Sequence, residues 1–155
     1  MQYTIWLIPS EPVYGQLKTI IDKLSREYNS PTFQPHLTIL EHIEMDPSEI
    51  KQKLETLNKN LIGLELSLGP VSFSTTSARC VFVRVNSTAK LMQLNLDAKK
   101  LFGFENDVFM PHISLMYGDY DMETREKATN KIQILPATFT VKEFALIPSE
   151  SLSPI

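Results

Sequence analysis

Cysteine, tryptophan, histidine and glycine are all scarce in this chain of 155 residues, which holds one Cys, one Trp, three His and five Gly. The lone Cys80 excludes an internal disulfide and a multi-cysteine metal motif. It fits a reducing, cytoplasmic setting and reads as a small apolar residue on a strand. No apolar run nears the ~20 residues that cross a bilayer. The early run Ile5 to Ile8 has no basic residues before it, so neither a membrane partner nor a secretory signal is expected. Positive charge is in deficit, with 15 Lys and Arg against 18 Asp and Glu for a net −3. A surface that tracks long nucleic acid through many phosphate contacts carries a basic excess, so a long nucleic-acid partner is not expected. Hydrophobic residues at 43% are ordinary for a globular protein, and the length supports one shared core. A single monomeric domain over 1–155 is expected.

What the chain does have is a clear alternation of elements. Tyr3 to Ile8 is rich in aromatic and β-branched residues and reads as a strand. From Val13 to Tyr28 the positions Leu17, Ile20, Ile21 and Leu24 follow helical spacing. Leu37 to Ile43 is a second strand. Asp46 and Pro47 then offer an N-cap and first helical residue for a helix to about Asn60, and Gly63 to Phe73 is extended. The second half repeats the order: strand Arg79–Val85, helix Ser87–Phe102, strand His112–Tyr117, helix Asp121–Ile132 and strand Phe139–Ile147. The expected fold class is therefore α+β, with two pseudo-symmetric β-α-β-α-β lobes of roughly 1–75 and 76–155. Mainly antiparallel sheets would face a central groove, with helices outside and elements free to exchange between lobes.

Two of the three histidines stand in near-copies of one setting. FQPHLTIL runs from Phe33 to Leu40 and FMPHISLM from Phe109 to Met116, 76 positions later. By composition a given His carries Phe at −3, Pro at −1 and a hydroxyl at +2 with a chance of roughly one in 2,000. Coincidence is a poor account of two. On a strand, residues i and i+2 share a face about 6.6 Å apart. His36 then stands beside Thr38 and His112 beside Ser114, while Leu37, Ile39, Ile113 and Leu115 turn toward the helices. The same offset superposes Trp6 on Phe82, which alternates away from Val81, Val83 and Val85 and is expected to line the groove.

Two facing imidazoles suit paired proton transfer, because a group with a pKa near 6.5 can be neutral on one wall and charged on the other at neutral pH. The two hydroxyls can donate to non-bridging phosphoryl oxygens. A metal centre would need a third ligand, and His42 lies about 20 Å further along an extended strand. No metal and no cofactor are expected. A serine-hydrolase reading lacks a Gly-x-Ser-x-Gly elbow. No Arg or Lys adjoins either motif, and Arg79 and Arg84, on opposite faces of a regular strand, are left out of the site.

The motifs HLTI (His36 to Ile39) and HISL (His112 to Leu115) resemble those of the 2H phosphoesterase superfamily. The opening YTIWLIP, FQPHLTI, and FMPHISLMYGD before a polar helix resemble its cyclic phosphodiesterase branch, over nearly the whole chain. The resemblance implies metal-independent hydrolysis of small cyclic-phosphate nucleotides. Nucleoside 2′,3′-cyclic phosphates would open to 2′-phosphates, and ADP-ribose 1″,2″-cyclic phosphate to the 1″-phosphate. It implies His112 as the base that activates water, His36 as the acid on the leaving oxygen, and Thr38 and Ser114 as phosphate contacts. It also places Trp6 in the groove, able to stack on a base, and Tyr117 as a further contact. Strict alternation sends Tyr117 to the opposite face, so a bulge or strand end is needed there. Two other readings stand beside this one: an RNA 2′,5′-phosphoesterase or end-processing enzyme, and a nucleotide-binding module without chemistry.

Overall fold

The computed structural model describes residues 1–149. The first half runs β1 (Tyr3–Leu7), α1 (Val13–Tyr28), β2 (Leu37–Ile43), α2 (Pro47–Leu57), a 3-10 turn at Asn58–Leu61 and β3 (Glu65–Phe73). The second runs β4 (Val81–Val85), α3 (Ala89–Phe102), β5 (His112–Met116), α4 (Met122–Lys131), β6 (Thr138–Thr140) and β7 (Phe144–Pro148). Local chemistry fixes the helix ends. Asp46, Thr88 and Asp121 accept the N–H groups of Ser48, Leu91 and Thr124 and so cap α2, α3 and α4, each cap stabilising its helix by about 1 kcal/mol. α1 buries Val13, Leu17, Ile21 and Leu24, an apolar stripe at helical spacing. Among the described residues no helix is long and apolar enough to cross a membrane.

The strands form one curled antiparallel sheet in the order β6-β3-β4-β5-β2-β1-β7. The two expected sheets thus meet edge to edge. Their junction is narrow, because β2 and β5 share a single register pair, Leu37 opposite Ile113. Those two positions are related by the offset of 76, so the pseudo-two-fold axis passes between them. Away from that pair the strands separate, and the concave side opens as a groove.

The halves are interleaved. β3 of the first half pairs with β4, and β7 of the second pairs with β1. In the same way α1 packs on β5 and α3 on β2. Each motif strand is therefore backed by the other half's helix, and the 31-residue apolar cluster that includes Leu37, Ile39, Ile113 and Leu115 is continuous through both halves.

One difference from the sequence reading concerns Phe139–Ile147, expected as one strand. It is two strands on opposite edges of the sheet, β6 on β3 and β7 on β1. Only residues 141–143 join them, a reach of about 14 Å at full extension. The edges must lie that close, which is why the sheet curls. Ser10 N–H bonding Thr140 O at 3.2 Å ties the end of β1 to β6 across the same gap.

Candidate active site

The groove encloses a cavity of about 820 Å³ whose lining includes His36, Thr38, His112, Ser114 and Tyr117. The Phe-x-Pro-His pattern explains how each imidazole is held. A residue that precedes proline is confined to extended backbone. That sets the carbonyls of Gln34 and Met110 to face the histidine two residues on. His36 Nδ1 lies 2.7 Å from Gln34 O and His112 Nδ1 lies 2.9 Å from Met110 O. A carbonyl only accepts, so in both rings Nδ1 carries the hydrogen and Nε2 is the free nitrogen. The contact is repeated at the offset of 76 down to the atom.

Across the neighbouring strand the repetition continues with a change of ring. Trp6 pairs with Thr38 and Phe82 with Ser114 in the β1–β2 and β4–β5 registers. Trp6 stacks flat on His36, centroids 3.7 Å apart and planes 13° from parallel, whereas Phe82 meets His112 edge-on at 5.3 Å. Both aromatic residues are expected from the sequence to line the groove, Trp6 as a stacking surface. They are 6% and 2% exposed and do not belong to the cavity lining. The strand face is as expected, but each ring is covered by its histidine. Trp6 Nε1 is buried with no hydrogen-bond partner among the described residues.

Tyr117 lies in the lining because β5 ends at Met116, so strand alternation no longer governs it. It packs on Phe33 with ring centroids 4.4 Å apart. Burial raises its phenol pKa, and the Ser114 hydroxyl opposes that shift. Ser114 Oγ donates to Ala78 O at 3.3 Å.

Desolvation dominates the electrostatics. Burial pushes His36 down to about 4, the Gln34 carbonyl opposes, and His112 pushes the same way. Burial also lowers His112, opposed by the Met110 carbonyl and reinforced by the Arg79 guanidinium. Both imidazoles are therefore neutral near pH 7 in the free protein. The groove rim carries Glu41, Glu105, Asp107 and Asp119 against Arg79 and Lys99, and the Lys99 ammonium is already held by Asp107 at 2.8 Å.

Arg79 lines the cavity, although the sequence reading leaves it out of the site. It precedes β4, which starts at Val81, so the alternation used to turn it away does not apply; its place in the serine- and threonine-rich turn before the strand was the available signal. Arg84 is not part of the lining. His42 lines the cavity at a bulge in β2, with φ 62. Its repeat equivalent is Gly118, φ 147, also in the lining. Among the described residues no group of three His, Cys, Asp or Glu side chains converges as a metal site would.

Comparison with known proteins agrees with this arrangement. A profile described as "Cyclic phosphodiesterase-like protein" matches residues 1–143. The chain is 26% identical to the cyclic phosphodiesterase of Arabidopsis thaliana over 93% of this chain and 80% of that one. It is 28% identical to the 2′,3′-cyclic-nucleotide 3′-phosphodiesterase of Kluyveromyces lactis over 79% and 68%. Its fold superposes on the crystal structure of E. coli LigT complexed with ATP with a TM-score of 0.56, 18% identity, and coverage of 94% and 84%. With the profile spanning most of the chain and the twin His-x-(Thr/Ser) strands on one concave face, the protein belongs to the cyclic phosphodiesterase-like family of 2H phosphoesterases and is a phosphodiesterase.

Proposed function

We propose that the protein hydrolyses the cyclic phosphodiester of a small nucleotide without a metal. The substrates would be a nucleoside 2′,3′-cyclic phosphate, opened to the 2′-phosphate, and ADP-ribose 1″,2″-cyclic phosphate, opened to the 1″-phosphate. The observation that carries this reading is the pair of imidazoles lining one cavity, each fixed through Nδ1 with Nε2 free. Water attacks phosphorus as His112 Nε2 takes its proton. The bond from phosphorus to the leaving ring oxygen breaks as His36 Nε2 delivers a proton to that oxygen. Thr38 donates to one non-bridging oxygen as charge builds there, and the single Ser114 O–H turns from Ala78 O to donate to the other, with Arg79 close to His112 as the nearby cation.

His36 must hold a proton to act as the acid, and its enclosure opposes this in the free protein. An anionic phosphodiester beside the ring supplies the missing counter-charge and raises the imidazole pKa. Substrate binding thus draws a proton from solvent onto His36, and the site becomes competent only when occupied. The names of the Arabidopsis and Kluyveromyces relatives support a cyclic substrate, and the acidic rim disfavours long RNA. We read the enzyme as a monomer and place it in the cytoplasm, a reducing setting in keeping with its free, buried Cys80.

The test follows phosphorus NMR in excess EDTA, with adenosine 2′,3′-cyclic phosphate and the ADP-ribose cyclic phosphate side by side. Conversion to the 2′-phosphate and the 1″-phosphate is expected. Saturable binding with no product would leave a nucleotide-binding module. Faster turnover of 2′,5′-linked oligonucleotides, falling steeply with salt, would point to the RNA end-processing reading.

A further inference from the structure

We propose that Arg125 is a positioning residue that holds the Ser114 wall of the groove in its working shape; this rests on the reading of Ser114 as a phosphate contact. Arg125 is the central inward residue of α4 and is 0% exposed. A buried guanidinium is costly to desolvate unless its donors are met. Here they are met almost wholly by backbone. Nε donates to Tyr120 O at 2.8 Å, and one terminal nitrogen donates to Ser74 O and Thr76 O, both at 2.7 Å. The other reaches Gly118 O at 3.4 Å and stands 3.6 Å from the exposed Asp119 carboxylate.

These oxygens belong to two loops, 74–80 before β4 and 117–120 after β5. Both loops line the cavity, through Ser77, Ala78 and Arg79 on one side and Tyr117 to Tyr120 on the other. They are also joined to each other, Gly118 N–H donating to Ser77 O at 3.1 Å, and the first of them meets Ser114 Oγ through Ala78 O. The clamp therefore ends, two bonds on, at the hydroxyl of the second motif. A purely structural role at this point of α4 could be filled by an apolar residue, as Ala128 does one turn later. The first half has no such clamp, since the residue four after the α2 N-cap Asp46, as Arg125 is four after Asp121, is the buried, apolar Ile50. The inference is thus asymmetric: Arg125 acts through Ser114 and not through Thr38.

That asymmetry sets the experiment. Arg125→Lys keeps the charge but loses the fork geometry. Its effect on kcat/KM for adenosine 2′,3′-cyclic phosphate is measured in the wild-type, Ser114→Ala and Thr38→Ala backgrounds, as two double-mutant cycles. The expected loss is about tenfold in the wild-type and Thr38→Ala backgrounds and under about twofold with Ser114→Ala, where nothing remains to be positioned. Equal losses in both backgrounds, or no loss in wild type, overturn the proposal, because a general weakening of the fold would not distinguish the two hydroxyls. Should Arg125→Lys fail to fold, Asp119→Ala removes the clamp's exposed partner and must show the same selectivity for Ser114, at smaller amplitude. A wild-type enzyme inactive on every cyclic phosphate would instead strike the function from which this inference starts.

Discussion

The two walls of the groove are the same backbone with different surroundings. Each presents a histidine tied through Nδ1 to the carbonyl two residues back, a hydroxyl two residues on, and an aromatic residue on the neighbouring strand. Yet His36 lies flat under an indole and is 6% exposed, while His112 meets a phenyl edge and is only half-buried. Burial lowers both rings, His36 to about 4 and His112 in the same direction, with Arg79 adding to the effect only at His112. Two equivalent strand motifs thus hold imidazoles that differ in the ring packed on each.

The largest effect should come from removing either ring. His36→Ala and His112→Ala are each expected to lower kcat by about 10²–10⁴-fold, the range for a lost general acid or base. The double variant should be little worse than the singles, because the groups act as a unit. Steady-state rates on a 2′,3′-cyclic nucleotide decide it. Near-wild-type turnover in either single variant would remove the paired-imidazole mechanism and leave the likeness of the two walls without a catalytic meaning.

Making the walls more alike is a sharper test. Trp6→Phe puts the residue of the second wall on the first and opens His36 to water, so its pKa should climb from about 4 toward the ordinary 6.5. Proton NMR titration of the ring reports this directly. Stability carries the same signature. A neutral imidazole in the folded protein that is protonated in the unfolded chain means that the unfolded state binds more protons between pH 6.5 and 4. The His36 contribution is therefore complete above pH 6.5 and is lost as pH falls through that window, a change of roughly 3 kcal/mol. Trp6→Phe should flatten this slope in denaturant titrations at pH 7 and pH 4.5. An unchanged slope, together with an unchanged ring titration, would show that the indole does not enclose His36.

How much of this was legible in the sequence follows from what periodicity encodes. The order of elements could be read, and so could the start of α2, since Asp46 before Pro47 is a local capping signal; Thr88 and Asp121 carry the same signal for α3 and α4, whose starts the sequence reading sets one or two residues early. The pairing of His36 with Thr38 and of His112 with Ser114 could be read from strand alternation. Alternation says which face a residue takes but not how deep it lies, which is why Trp6 and Phe82 were assigned to the right face and the wrong layer. It also says nothing about partners. The exchange of β3 and β7, and the crossing of α1 and α3 onto the other half's motif strand, depend on long-range packing. The split of Phe139–Ile147 was hidden for a related reason: residues 141–143 hold no Gly or Pro to mark the change of edge.

The smallest expected effect concerns Arg79, the cation that distinguishes the second wall. Its charge disfavours protonation of His112, so Arg79→Gln should raise the His112 pKa modestly while removing attraction for an anionic substrate. The two consequences separate in kinetics. KM should rise a few-fold as attraction is lost, and the limb of the pH profile set by His112 should shift to higher pH. Because Arg79 is exposed, its field is screened by solvent and salt, and both differences from wild type should shrink between about 0.05 and 0.5 M ionic strength as the Debye length falls. A KM change that persists at high salt would mean direct contact with the phosphate. No change at any salt would place the guanidinium out of electrostatic reach and leave the ring beside each histidine as the sole source of their inequality.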